Sequence, residues 1–530
     1  MTYARFATIW YNTRQMAPNK RIFLNIVATY GRSLYALIIG LFCGRWTLMA
    51  LGEVDYGLVG VVGGLTAFIA FLNGVMACGV GRFYALSVGA EQRNPVAGLE
   101  SCREWFTTAV VVHTVMPLVL TVAGYPLGEW AVRHFLTIPA DRIDACVWVW
   151  KFTCLSCFVG MASTPYHAMY GAKQEIAELT IYSFVTTTLN AIFMCYVIHH
   201  PGDWLTKYAA WGCALSIVPS LLITGRSIFK YKECRIRLKS VCCFKRIKEM
   251  LSYSSWLIIG NLAALLRGQG VVVLINKLFG PTVNAAAAIG NSLSGHCESL
   301  SGSLINAFSP AIMNAYGAGD IERVKDYSLK VCKYSTMLIM FFGLPMMVEV
   351  DDLLFLWLKN PPTYTSMFCV LAIVMAIVDK MTWGYLISVH AQGEIAIYQC
   401  VVGGVLLLAL PFALVLYWLG AGVYCASIAS IVMFIFASMG RLFFAKKLLS
   451  ISIREWMQKC LVPLCCVAVC GIFEGAFVHR CLVAYAPLLR FLMVSISIVA
   501  FTTPMYWFFL LSANDREYVA TFVKRRLCKR

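Results

Sequence analysis

Long apolar stretches, each of about the length needed to cross a bilayer, alternate with short polar segments along the whole chain. The pattern predicts membrane helices near residues 24–50, 58–81, 105–124, 145–171, 176–199, 205–227 and 253–279, and again near 283–313, 334–350, 366–390, 395–419, 423–444, 457–477 and 487–510. The fold class expected is therefore an all-α polytopic membrane protein of about fourteen spans. The eighth span departs from the rest. Asn284, Asn291 and Glu298 recur every seven residues, with Ser292, Ser299 and Asn306 beside them and His296 nearby. Seven-residue spacing holds side chains on one side of a helix, so one face of this span is polar for much of its length. Such a face lines a cavity or bonds to neighbouring helices.

The pattern also repeats. Lys20-Arg21-Ile22 returns as Lys245-Arg246-Ile247, each before a long span, and Gly89-Ala90-Glu91 is matched by Gly317-Ala318-Gly319-Asp320. Pro117 has a counterpart in Pro345. His167-Ala168, Gly171 and Glu175-Ile176-Ala177 return in order as His390-Ala391, Gly393 and Glu394-Ile395-Ala396. The repeat unit holds six helices. Both halves then enter the membrane in the same orientation, an arrangement typical of transporters that rock about a central site. The expected organisation is a six-helix bundle over 1–230, a second over 231–450, and two additional helices with a basic tail over 451–530.

Composition agrees with the spans and narrows the class. Of the 530 residues, 60 % are apolar and 13 % charged, against about half and a quarter in soluble domains. A singly anchored receptor, a secreted enzyme and a disordered scaffold are all excluded. Net charge is +18, and its distribution gives its meaning. With the N-terminus inside, the inner segments hold 31 Lys and Arg and the outer loops six: Arg133, Arg142, Lys207, Lys359, Arg480 and Arg490. Both termini are expected in the cytoplasm, and the charge reads as a topology signal and an anchor to inner-leaflet lipids rather than a nucleic-acid surface. Met1 to Arg21 is polar, so no cleaved leader is expected. Cysteines are scattered through spans and inner loops, which implies no disulfide framework; Cys154 and Cys157 read as packing residues.

Ionisable side chains near the bilayer centre are costly and usually face a polar interior or one another. The basic ones within spans are Arg32, Arg45, Arg82, Lys151, Arg267, Lys277 and Lys380; the deep acids are Glu298, Asp379 and Glu474. Arg82 and Lys277 lie near helix ends and are expected to snorkel to the headgroups. Asp379 and Lys380 are adjacent on one helix, about 100° apart, and are expected to seek partners elsewhere. The deep bases outnumber the deep acids. Arg32, Arg45, Arg267 and Lys380 are therefore candidates for a cationic lumen that takes an anionic substrate, since Arg forks suit phosphate oxygens. Interhelical salt bridges are the competing role. Asn284, Asn291, His296 and Glu298 are the candidate polar lining, and Asp379 and Glu298 the candidates for proton or Na+ coupling. No metal site or cofactor is expected. No GxxxxGK[ST] loop occurs, which argues against ATP hydrolysis, and no outer loop is long enough for a catalytic constellation.

The run Leu51-Gly52-Glu53-Val54-Asp55-Tyr56-Gly57, with Phe71-Leu72-Asn73-Gly74 and Arg82-Phe83, resembles the first helix pair of bacterial Wzx-type polysaccharide (O-antigen) flippases. These sit in the larger group that includes MATE exporters and peptidoglycan-precursor flippases. Phe279-Gly280-Pro281-Thr282-Val283-Asn284, Ala315-Tyr316-Gly317-Ala318-Gly319-Asp320, Leu356-Trp357-Leu358 and Ser452-Ile453-Arg454-Glu455-Trp456 extend the resemblance. It implies two six-helix bundles working by alternating access in the bacterial inner membrane. The cargo implied is a polyprenyl-diphosphate-linked oligosaccharide carried to the outer leaflet for surface polysaccharide (lipopolysaccharide) synthesis. A polysaccharide polymerase or glycosyltransferases are the partners implied, with membrane lipids and no nucleic acid. Arg32, Arg45 and Arg267 would then attract the diphosphate. The alternative is a MATE-type Na+/H+-coupled multidrug exporter, for which an excess of deep acids would be expected.

Overall fold

The computed structural model describes residues 18–64, 67–136, 138–200, 202–236, 243–358, 361–512, 515–517 and 521. Among them there is no strand. The helices are α1 (Pro18–Gly64), α2 (Ala67–Ala90), α3 (Pro95–Trp130), α4 (Ile143–Ala172), α5 (Ile176–Ile198) and α6 (Leu205–Lys230), then α7 (Phe244–Gly317), α8 (Ile321–Val348) and α9 (Val350–Leu358). They are followed by α10 (Thr365–Lys380), α11 (Trp383–Gln392), α12 (Ala396–Trp418), α13 (Cys425–Leu449), α14 (Ile453–Cys481) and α15 (Pro487–Leu510). Eleven of these are long and apolar enough to cross a membrane, or twelve if the bent pair α10–α11 is one span. The expected count of fourteen is roughly compatible. The predicted first span lies in α1, and the polar eighth forms the second limb of α7.

Two helices are broken in the same way at matching points of the repeat. α1 turns at Gly52 (φ 75°, ψ 172°) and α7 at Gly280 (φ 83°, ψ 178°), 228 residues apart. That backbone region is essentially reserved for glycine, so the chain passes from one helix to the next without a loop. Gly280→Ala is expected to cost about 1–3 kcal/mol, read as a lowered unfolding midpoint of the purified protein. The turns after α4 and α11 repeat as well: Gln174 (φ 57°) and Gly393 (φ 99°) both take the left-handed conformation.

The chain forms two compact units, Met1–Ile258 with Ser309–Asp320, and Ile259–Phe308 with Ile321–Arg530. They differ from the expected divisions at 230 and 450 because the ends of both α7 limbs pack on the first unit. Gly89 leaves room for the Asn314 carbonyl and Gly317 for the Leu86 carbonyl. Asn314 Nδ2 donates to Ala172 O at 2.9 Å, Arg93 to Gly317 O at 2.7 Å, and Arg246 pairs with Glu104. α14 and α15 form no separate body; they belong to the second unit, where Gly471 and Gly475 on α14 bring it close to Ile498 of α15 and to Leu344 and Val348 of α8. Small residues permit such close helix packing in lipid.

Within the first unit, the ends of α2, α4 and α6 are tied by ions. Lys173 Nζ lies 3.0 Å from Glu91 and 2.6 Å from Glu233, while Arg226 and Lys230 pair with Glu178 and Tyr231 OH donates to Glu175 at 2.7 Å. Arg82 does not snorkel. It is 7 % exposed, held 4.6 Å from the Tyr253 ring and 5.1 Å from that of Phe83. Aromatic faces attract the guanidinium more strongly once water is removed. Lys277 is exposed.

Candidate functional site

The candidate residues fall into two places in the second unit and one in the first. Arg32 is half-buried on α1, and no carboxylate among the described residues lies within ion-pair distance of it. The Arg45 side chain lies outside the described residues. In the second unit, Arg267 on the first limb of α7 and Asn291 on the second line one cavity of about 200 Å³. Val271, Ala287, Phe368, Met375, Ser427 and Ser430 help to enclose it. The Arg267 guanidinium stands 4.8 Å from the Phe434 ring centre. Nη1 reaches only the Met375 sulfur, at 4.0 Å, and Nε is buried without a hydrogen-bond partner. No described carboxylate is within 4.0 Å of it. The guanidinium thus meets an aromatic face and a sulfur from other helices but no opposite charge.

The second place is the break between α10 and α11. The two helices meet at 41°, because α11 lays Gly384 directly on the Ser328 carbonyl of α8, where any side chain would collide. The bend strands carbonyls that side chains from other helices then satisfy. Arg441 of α13 donates to Asp379 O at 3.0 Å, Ser438 to Val378 O at 3.4 Å, Ser335 of α8 to Lys380 O at 3.5 Å, and Trp456 of α14 to Met381 O at 2.9 Å. Inside the membrane such groups have no water to turn to. Around them sits a neutral set of charges. Lys380 Nζ is 2.9 Å from Glu298 and 2.9 Å from Asp379, and Arg441 Nη1 is 2.8 Å from Asp379. Lys380 also rests 3.9 Å from the Trp383 ring centre.

This corrects one expectation. Asp379 and Lys380 do pair, because the helix ends at Lys380 and its long side chain folds back across the break. Lys380 is thus engaged by carboxylates, unlike Arg267. Glu298 holds it from the polar stripe of α7 and is itself the partly exposed member of the set, its side chain 38 % accessible. Asn291, Ser292, His296 and Ser299 on that limb are exposed, and Asn284 is half-buried outside the Arg267 cavity. Glu474 accepts from Ser497 within the α14–α15 pair.

Sequence reasoning missed Arg441. Position 441 falls inside the span expected at 423–444 but is not among the embedded bases weighed there; eight residues separate it from the end of α13, roughly 12 Å of helix, and it is 3 % exposed. The signal available was its place in an otherwise apolar run.

No protein-family model and no curated protein matches the chain. Solved structures do. A MATE transporter in complex with MaL6 aligns with TM-score 0.67 at 13 % identity, covering 82 % of this chain and 97 % of its own. A multidrug resistance MATE family transporter of the MOP superfamily, in an outward-facing conformation, gives TM-score 0.67 at 13 % identity over 82 % and 96 %. A MOP superfamily transporter from Pyrococcus furiosus, described as having a binding pocket of reverse polarity and a suggested different function, gives 0.65 at 13 % over 82 % and 96 %. At such identity the likeness is one of architecture: this multi-pass membrane chain has the MATE transporter fold.

Proposed function

We propose that this protein is an alternating-access transporter that carries a polyprenyl-diphosphate-linked oligosaccharide from the cytoplasmic to the outer leaflet of a bacterial inner membrane. The observation that carries the reading is Arg267, a cation lining a cavity beside Asn291, Ser427 and Ser430 with no described carboxylate in contact. Drug cations would be repelled there, while a diphosphate would supply the missing negative charge in fork geometry. Arg32 in the first unit extends the same logic. The fold supports a transporter, and the residue resemblance to Wzx-type flippases supplies the cargo class.

The test is native mass spectrometry of the full chain purified in mild detergent from a glycan-producing host, beside Arg267→Ala. A bound polyprenyl-diphosphate glycan is expected on the wild type and at least tenfold less on the variant. Saturable binding of lipophilic cations with no glycolipid would overturn the reading and assign the chain to MATE-type drug export.

A further inference from the structure

At the end of the second unit that the charge pattern places outside, four ionisable groups from four helical segments meet. Glu349 forms the junction of α8 and α9, and its side chain has no accessible surface. His479 Nδ1, near the end of α14, lies 2.7 Å from Glu349 Oε1. Arg490, at the start of α15, sets its Nε 2.5 Å from Asp352 of α9 and forks a second nitrogen onto the same carboxylate. Arg490 reaches Glu349 Oε2 only at 3.9 Å, and that oxygen is buried with no hydrogen-bond partner. Of the other charged groups nearby, Asp351 is turned to Ser366 of α10 at 2.5 Å, and Arg480 is exposed.

The charges do not balance as they stand. Two carboxylates face one permanent cation, because Arg490 is spent on Asp352. A buried Glu349 left ionised beside a neutral imidazole would be a desolvated, unmatched charge. One proton corrects this, carried either on the imidazole, whose Nδ1–H then donates as a cation to Oε1, or on the carboxyl itself. His479 is 35 % accessible, so the proton has a route to water.

We propose that Glu349 and His479 form a one-proton binding site on the outer face, and that the bound proton fastens the α14–α15 pair to α8. The reading is independent of the cargo. Burial raises the Glu349 carboxyl above its ordinary value, and the Arg490 fork holds Asp352 below its own. The sign follows from these directions. The Asp352–Arg490 link is lost only in strong acid, below the usual carboxylate range. The Glu349–His479 link is complete on the acid side and weakens as the outer pH climbs through the raised Glu349 value. The site therefore grips at acidic outer pH and slackens at alkaline pH.

Infrared difference spectra of the full chain in lipid nanodiscs, stepped from mildly acidic to mildly alkaline pH, test this. A paired imidazole and carboxyl change is expected in the wild type, absent from Glu349→Gln and from His479→Gln, and retained in Arg480→Gln. The unfolding midpoint of the wild type should fall toward alkaline pH and be nearly flat in Glu349→Gln. A wild-type spectrum without that change, or a Glu349→Gln protein with the wild-type pH slope, would overturn the proposal. His479→Gln, which leaves the buried carboxyl in place, decides the matter if Glu349→Gln fails to fold.

Discussion

Arg441→Met is expected to destabilise the protein by about 3–5 kcal/mol, the cost of removing one partner from a buried ion pair. The reason is specific to the α10–α11 break. Arg441 Nη1 meets both the Asp379 carboxylate, at 2.8 Å, and the Asp379 carbonyl, at 3.0 Å. Its loss leaves a buried carboxylate with Lys380 alone and a stranded carbonyl with no donor. The check is a thermal unfolding series with Arg441→Met, Asp379→Leu and the double variant. The double variant should regain much of the loss, since removing both charges removes the unmatched one. Strictly additive losses would show that the two residues do not act as a pair.

Arg267→Met is expected to do the reverse. The wild-type guanidinium has no carboxylate in contact and a buried Nε without a partner. Replacing it with an apolar chain of similar reach removes an unmet desolvation cost, so the unfolding midpoint should hold or rise. Transport should fall at least tenfold, about 1.4 kcal/mol of lost interaction with an anionic cargo. The measurement pairs the melting curve with leaflet-to-leaflet movement of a polyprenyl-diphosphate glycan in proteoliposomes. A drop in stability equal to the drop in transport would reduce Arg267 to a structural residue. The contrast with Arg441 is informative because the two residue types are the same and only their surroundings differ.

Much of the architecture was written in local pattern. Each apolar stretch had to be a helix because its backbone groups have no partner in lipid other than their own chain. Gly52 and Gly280 fall in the gaps between expected spans, and the backbone each adopts there is one that few other residues tolerate. On the second α7 limb, Asn291, His296 and Ser299 are exposed, while Asn284 and Glu298 are half-buried. These features depend on neighbours within one helix.

The fate of each embedded charge was settled by tertiary structure, because a partner is a matter of distance in space. Lys380 and Arg267 looked alike in sequence. One meets Glu298 from 82 positions away and Asp379 besides, while the other meets a cavity. Arg82 sat at a helix end, yet Tyr253 from another helix covers it. Arg441 drew no attention within its apolar run, and its role shows only where Asp379, 62 positions earlier in the chain, lies beside it. Hydropathy sums a helix over its own length, so it marks the segments apolar enough to cross a membrane; only the packing of segments far apart in sequence decided which charges are neutralised and which have no carboxylate beside them.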